Sequence, residues 1–233
     1  MGIWPALRPA GAYNRAVSER AAMPSYRHLP GFLSPEEVHR LDRLVEGQSD
    51  LFNATGGRGG LGPKYKVIDG DQVKARLPEI ERFGETRVRP LIEQIAGGPV
   101  QPFGSSKRSI RVQVYGNLRD GFRWHFDGHS FAALLTLRNA NRGETQIVPE
   151  RLSRLLRVLL YPLYAFPQLF SLAPHERITM GAGDLLFICG SRVLHRGVTL
   201  GSTGERVLIV YSYDEAGKKP NRFRDFVARM LNY

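Results

Sequence analysis

The sequence predicts a mainly β domain, a barrel or sandwich, preceded by flanking helices. Three observations predict it. The pattern changes near residue 108: short runs of apolar and β-branched residues then follow one another at 109–115, 122–127, 130–137, 145–148, 177–180, 184–189, 192–199 and 205–213. Turn residues separate many of these runs, and short strands at this spacing suggest a closed or stacked sheet. Before that point the apolar spacing is helical. The composition is that of an ordinary globular chain: 233 residues, 42% apolar and 24% charged. This length suits one domain with a substantial core.

Taken in order, residues 1–24 show no clean periodicity and read as an irregular leader, and 25–233 read as a single domain. Tyr26 to Leu33 reads as a short strand and turn. Ser34-Pro35-Glu36-Glu37 is a helix start, with Ser at the N-cap, Pro at the first helical position and Glu three residues after the cap. Val38, Leu41, Leu44 and Val45 place an apolar stripe on that helix, and Gly47 ends it. Residues 55–64 are glycine-rich. They lack the Gly-Lys-Ser/Thr step that a phosphate loop requires, so a mobile loop, a lid over a site, is expected. A second helix is expected from Glu85 to Ala96, which makes 34–98 the helical part and 108–213 the β core.

A helical insert is expected at about 151–175. From Val158 to Ala173 it carries no charge, but sixteen residues broken by Pro162 and Pro167 fall short of the roughly 20 needed to span a bilayer. The expectation is therefore no transmembrane segment. The insert is read as packing on the barrel or on a partner subunit in a homodimer. An interfacial membrane contact edged by Arg151, Arg154 and Arg157 is the alternative.

The formal net charge is +11, which attracts anions: a charged metabolite, an acidic carrier protein, nucleic acid or an anionic membrane. A merely solvated basic face accounts for it equally well. The single cysteine, Cys189, excludes an internal disulfide and fits a reducing cytosol. Lying in Leu185-Leu186-Phe187-Ile188-Cys189, it reads as an inert core thiol. The first residues lack the basic start and long apolar core of a signal peptide, and a cytoplasmic location is expected.

Trp124-His125-Phe126-Asp127 carries the chemistry. In an extended run His125 and Asp127 point the same way, so an imidazole and a carboxylate share one face. A His-x-Asp pair alone is a weak sign, because surface pairs are common. His195, in Arg192-Val193-Leu194-His195-Arg196-Gly197-Val198, is the best third ligand. Two histidines and one carboxylate on one face of iron(II) leave open positions. Arg206, eleven residues further on, returns by strand, turn and strand beside such a metal and suits a carboxylate partner. His129 reads as a solvated loop histidine rather than a fourth ligand. His28, His39 and His175 read as structural or exposed.

The set His125, Asp127, His195 and Arg206 resembles the 2-oxoglutarate/iron(II) oxygenase superfamily, nearest the prolyl-4-hydroxylase-like branch, over about 109–213. Val114-Tyr115-Gly116, Gly143-Glu144-Thr145, Gly181-Ala182-Gly183-Asp184-Leu185-Leu186-Phe187 and Leu33-Ser34-Pro35-Glu36-Glu37 match further features of that branch. The resemblance implies a double-stranded β-helix core of jelly-roll or cupin-like form. It implies iron(II) held by His125, Asp127 and His195. It implies 2-oxoglutarate held by Arg206 with Tyr115 and Thr136, and O2 as oxidant. The implied reaction decarboxylates 2-oxoglutarate to succinate and oxidises a substrate C–H bond, by default to an alcohol. A carboxylate at 127 argues against halogenation, since related halogenases carry Gly or Ala there.

The nucleic-acid demethylase branch carries a second arginine six residues beyond the first. Ser212 stands there, so nucleic acid is not the expected partner. Arg111, Gln113 and Tyr115 share a strand face, and Arg111, Gln113 and Ser212 are the candidates for touching substrate. The substrate is expected to be a small molecule, a secondary metabolite or amino acid, anionic or carrier-bound. A peptidyl hydroxylase, a cupin-like metalloprotein that does not use 2-oxoglutarate, and a non-catalytic basic binding protein are the competing readings.

Overall fold

The computed structural model describes residues 23–55, 65–117, 120–160, 167–201 and 203–219. The expected leader and the glycine-rich loop lie almost wholly outside these residues, as does the middle of the insert. The strands are β1 (Tyr26–Leu29), β2 (Asn53–Thr55), β3 (Tyr65–Ile68), β4 (Val100–Pro102), β5 (Ile110–Tyr115), β6 (Phe131–Asn139), β7 (Glu144–Ile147), β8 (Glu176–Thr179), β9 (Leu185–Ile188), β10 (His195–Val198) and β11 (Arg206–Glu215). The helices are α1 (Pro35–Glu46), α2 (Gly70–Arg76), α3 (Pro78–Phe83), α4 (Arg89–Ala96), α5 (Ser106–Ser109) and α6 (Glu150–Leu160).

The strands form two antiparallel sheets. The larger runs β1-β9-β6-β11-β5-β3-β2, with β4 on the end of β11, and the smaller runs β10-β7-β8. Every pairing is antiparallel. Two such sheets facing each other make the jelly-roll form of a double-stranded β-helix.

Strand alternation divides the large sheet into two faces. Val207, Ile209, Tyr211 and Tyr213 of β11 point outward, with Ile110, Val112 and Val114 of β5 and Ala133, Leu135 and Leu137 of β6. They pack with Leu41, Ile80, Val88 and Ile92 of the helical layer. Burying each aliphatic side chain of this layer contributes about 1.5–3 kcal/mol. The other face holds Tyr65, Val67, Tyr115, Leu186, Ile188, Leu208 and Val210, which meet Ile147, Met180 and Val193 from the small-sheet side. The candidate site lies on this inner face.

Helix α1 begins as its sequence dictates. The Glu37 amide donates to Ser34 Oγ, and the Ser34 amide donates to Glu37 Oε2, which closes a capping box. The second helical segment is longer than expected, with α2, α3, a π-turn over Gly84–Val88 and α4 in succession. Leu77 and Pro78 separate its first two pieces. Gly84 marks the close approach: a Cβ there would lie 2.3 Å from the Tyr211 ring. The run 122–127 is not a regular strand. It is extended backbone pinned at isolated bridges, Gly121 to Val198 and His125 to His195.

The insert begins as α6 and closes over Trp124. Trp124, Val148, Phe170 and Leu194 form a small core with Phe126, Leu152 and Leu156. Trp124 Nε1 donates to Ser171 Oγ at 3.1 Å. Arg192 holds Glu150 through two bonds, of 3.0 and 2.5 Å, and Ser25 Oγ donates to the same carboxylate. These contacts seat the described part of the insert on the barrel. Leu155 and Leu172 remain 69% and 83% exposed. Among the described residues no helix is long and apolar enough to cross a membrane. Cys189 is fully buried, and burial pushes its thiol up to about 12.

Candidate metal centre

The backbone positions the ligands before any side chain does. The amides and carbonyls of His125 and His195 bond each other at 3.0 and 3.1 Å, and the Asp127 amide donates to the Gly190 carbonyl at 2.9 Å. These bonds tie the extended 122–127 run to β10 and to the turn after β9. Gly190 is required here, because a Cβ at that position would lie 1.9 Å from Asp127 Oδ2. The carboxylate crosses the space a side chain would fill.

His125, Asp127 and His195 converge, each offering one ligand atom within 4.8 Å of the others. His125 Nε2 stands 3.4 Å from Asp127 Oδ1, and His195 Nε2 stands 3.5 Å from Oδ2. The other ring nitrogens face backbone carbonyls, His125 Nδ1 at 2.8 Å from Arg123 O and His195 Nδ1 at 3.1 Å from Val193 O. A carbonyl only accepts, so Nδ1 carries the proton in both rings and Nε2 presents its lone pair to the cluster. That tautomer is the one a metal needs, and the outer bond fixes the ring's orientation.

The electrostatics suit a cation. Burial pushes the Asp127 carboxyl up, but the imidazoles of His129, His195 and His125 outweigh it and hold the group well below the usual carboxylate range. Burial lowers His195 to about 4, so its ring is neutral at physiological pH. An ionised carboxylate and a neutral imidazole are the states that ligate. The donor set of two imidazoles and one carboxylate fits an iron(II) centre with open positions.

Arg206 opens β11 and is 1% exposed. Its Nη1 donates to the Glu144 carbonyl and its Nη2 to Thr145 Oγ1, each at 3.1 Å, while Nε has no partner. No carboxylate pairs with it among the described residues, and burial lowers it to about 10. A buried guanidinium with an unused donor is costly unless an anion completes it. Gly143 lets it pass, since a Cβ there would lie 2.6 Å from Arg206 Cδ. Along β10, Gly197 follows His195 on the same face, and a Cβ at Gly197 would lie 3.8 Å from Arg206 Nη1. The path from the ligand cluster to the guanidinium is therefore clear of side chains at that position.

The other candidates line the inner face of the large sheet. Tyr115 lies opposite Arg206 on β5, its ring 6.0 Å from the guanidinium carbon, and its hydroxyl donates to Gln113 Oε1 at 2.7 Å. Thr136 is fully buried, with its hydroxyl on Met180 Sδ at 3.7 Å. Arg111 lies opposite Val210, and Ser212 lies opposite Ala132. His129 is not solvated. It is 6% exposed, lies 5.6 Å from the Phe103 ring, and brings Nε2 to 3.1 Å from Asp127 Oδ2. The chain turns inward after Asp127, which no local pattern signals.

Sequence reasoning missed Thr145 and Gly190. The Gly143-Glu144-Thr145 triplet is visible, but what it touches depends on the β7–β10 pairing. Nothing in the local sequence singles out Gly190.

No family model and no curated protein matches the sequence. Solved structures do match the fold. The non-heme α-ketoglutarate-dependent epimerase SnoN from nogalamycin biosynthesis is 21% identical at TM-score 0.64, covering 92% of each chain. The carbocyclase SnoK from the same biosynthesis is 18% identical at TM-score 0.65, over 92% of this chain and 89% of that one. HygX from Streptomyces hygroscopicus, with nickel and 2-oxoglutarate bound, is 15% identical at TM-score 0.66, over 93% and 91%. The chain thus has the jelly-roll fold of the non-heme 2-oxoglutarate-dependent enzymes.

Proposed function

We propose that the chain is an iron(II)- and 2-oxoglutarate-dependent oxygenase acting on a small molecule. His125, Asp127 and His195 hold the metal, and Arg206 holds the distal carboxylate of 2-oxoglutarate. The observation that carries this reading is the buried Arg206, unpaired with any carboxylate among the described residues, whose Nη1 lies beside Gly197, two residues along β10 from His195 of the His-Asp-His cluster. A metal alone explains the cluster; a co-substrate with a second carboxylate explains the arginine as well.

Iron(II) and 2-oxoglutarate, when bound, would supply the oxidising chemistry, with O2 as oxidant. The protein's own contribution is position and exclusion. His125 and His195 present Nε2 because their Nδ1 protons are held by carbonyls. Asp127 is kept ionised and is confined between Gly190 and His129. Arg206, oriented by Glu144 O and Thr145 Oγ1, would fix one end of the co-substrate, with Tyr115 beside the guanidinium and Thr136 on the same face as its further contacts. The apolar inner layer of Leu186, Ile188, Leu208 and Val210 keeps bulk water from the reacting centre.

Hydroxylation of an unactivated C–H bond is the outcome we propose, since Asp127 occupies the coordination position that related halogenases leave open. The substrate we propose is a small molecule such as a secondary metabolite or amino acid. SnoN and HygX have been crystallised with nogalamycin RO and with hygromycin B respectively, which supports a small-molecule substrate. Mass spectrometry of the product separates the outcomes: hydroxylation adds one oxygen, cyclisation removes two hydrogens, and epimerisation leaves the mass unchanged.

The test is anaerobic. Iron(II) and then 2-oxoglutarate are added, and the weak visible metal-to-ligand charge-transfer band is recorded. The band is expected in wild type and weakened in Arg206→Ala. Iron binding without a band would favour a cupin-like metalloprotein, and no iron binding would leave a basic binding protein on this fold.

A further inference from the structure

Two arginines, Arg206 and Arg111, stand on the inner face of the large sheet, and the oxygenase reading accounts for only one. Arg111 lies opposite Val210 on β11. It is four residues along the strand from the Arg206–Tyr115 pair, about 13 Å at the usual rise. Val210 and Ser212 share a face, so Arg111 and Ser212 are diagonal neighbours. Ser212 pairs with Ala132, and Ala132 pairs with Ile188. Ile188 is two residues before Gly190, whose carbonyl holds the Asp127 amide. Arg111 and Ser212 therefore sit toward the metal end of the inner face, and Arg206 sits toward the other end.

Both residues hold unused hydrogen-bonding capacity. Arg111 Nε is buried with no partner, and so is Ser212 Oγ in a fully buried residue. No acid answers Arg111 among the described residues. Asp69, just past the end of β3 and the Ile68–Val112 pair, forms no ion pair with it; it caps α2, its amide donating to Gln72. Tyr65 and Tyr115 face it as uncharged phenols, both pushed up by burial. Residues 56–64, which adjoin β3 in sequence, include no Asp or Glu.

Iron(II), the 2-oxoglutarate dianion, ionised Asp127 and Arg206 sum to zero. The Arg111 charge is then left over.

We propose that Arg111, with Ser212 beside it, anchors an anionic group on the substrate, a carboxylate or a phosphate, and so selects an anionic small molecule. The proposal rests on the oxygenase reading and names the substrate class for it.

The test uses full-length protein loaded anaerobically with iron(II) and 2-oxoglutarate. Benzoate, phenyl phosphate and neutral benzamide are titrated by calorimetry while the charge-transfer band is followed. Wild type should bind benzoate or phenyl phosphate about tenfold or more tighter than benzamide, the scale of one hydrogen-bonded charge contact. Whichever of the two binds tighter identifies the carboxylate or the phosphate. Arg111→Gln should lose that preference and keep the band, and Arg111→Lys should recover part of it. Equal binding of the three probes, no binding, or an unchanged preference in Arg111→Gln would overturn the proposal. So would loss of the band on adding benzoate, which would put the probe at Arg206. Absence of the band in unliganded wild type would instead overturn the oxygenase reading, and this inference with it.

Discussion

Arg206 is the residue with the most to lose from substitution. In Arg206→Gln the two bonds to Glu144 O and Thr145 Oγ1 have a neutral replacement, but the charge that meets an incoming carboxylate is gone. Removing one partner of a buried charge pair costs at least about 2 kcal/mol, or about thirtyfold in affinity. Titration of the charge-transfer band should show 2-oxoglutarate binding weakened to that degree with iron binding retained; equal affinity in the two proteins would remove Arg206 from the co-substrate site. Gly190 makes the complementary case for the metal. With a Cβ only 1.9 Å from Oδ2, Gly190→Ala forces Asp127 to move. Changes that disturb a ligand's orientation typically cost 10–100-fold in metal affinity. Metal titration with a competing chelator should show that loss, and wild-type affinity in the variant would mean Asp127 is not a ligand.

At the scale of elements, the insert is held to the barrel chiefly through one carboxylate. Glu150 accepts from Arg192, Arg154 and Ser25, and although burial pushes it up, these bonds bring it to about 2. Glu150→Gln keeps the shape and removes the charge. The site is partly exposed, so the expected cost is about 1 kcal/mol. That corresponds to a fall of about 2–4 °C in melting temperature for a chain this size. Added protease should also cut first within α6; an unchanged melt and digestion pattern would show that the small core around Trp124 holds the insert unaided. The helical layer illustrates local against tertiary control. Ser34, Pro35 and Glu37 announce α1 residue by residue. The succession of helical pieces from Gly70 to Ala96 announces itself only in its last part, because Leu77, Pro78 and Gly84 interrupt its pattern. It is held by contacts to β11, such as Tyr211 Oη donating to the Ile80 carbonyl at 2.9 Å.

For the whole molecule, the buried cluster couples folding to pH. The ordinary histidine value is 6.5, and burial lowers His195 to about 4 in the fold. Between those values the unfolded chain holds the proton and the folded chain does not. Acidification from about pH 6.5 to about pH 4 therefore favours unfolding, by about 3 kcal/mol at most. The Asp127 contribution, from a lowered carboxyl, persists until the pH falls below the ordinary carboxylate range. Urea melts in chelator should give constant stability above pH 7 and a decline between pH 6.5 and 4. A decline in wild type that persists unchanged in His195→Gln would assign it to other groups.

The sequence alone determined the local grammar of this protein: the capped helix, the succession of short strands and the buried Cys189, and it marked His125, Asp127, His195 and Arg206 as candidates. The first of these depend on residues a few positions apart, and the candidate set on its resemblance to a family motif. The tertiary structure alone decided the rest. The 122–127 run is held by two bridges rather than by a regular ladder, so its geometry comes from β10 and Gly190. His129 turns inward against Asp127 instead of into water. Thr145 reaches Arg206 only because β7 pairs with β10, and Arg111 and Ser212 become neighbours only because β5 pairs with β11. Each of these contacts joins segments far apart in the chain, and the register that joins them is set by the burial of both sheet faces, which no local window contains.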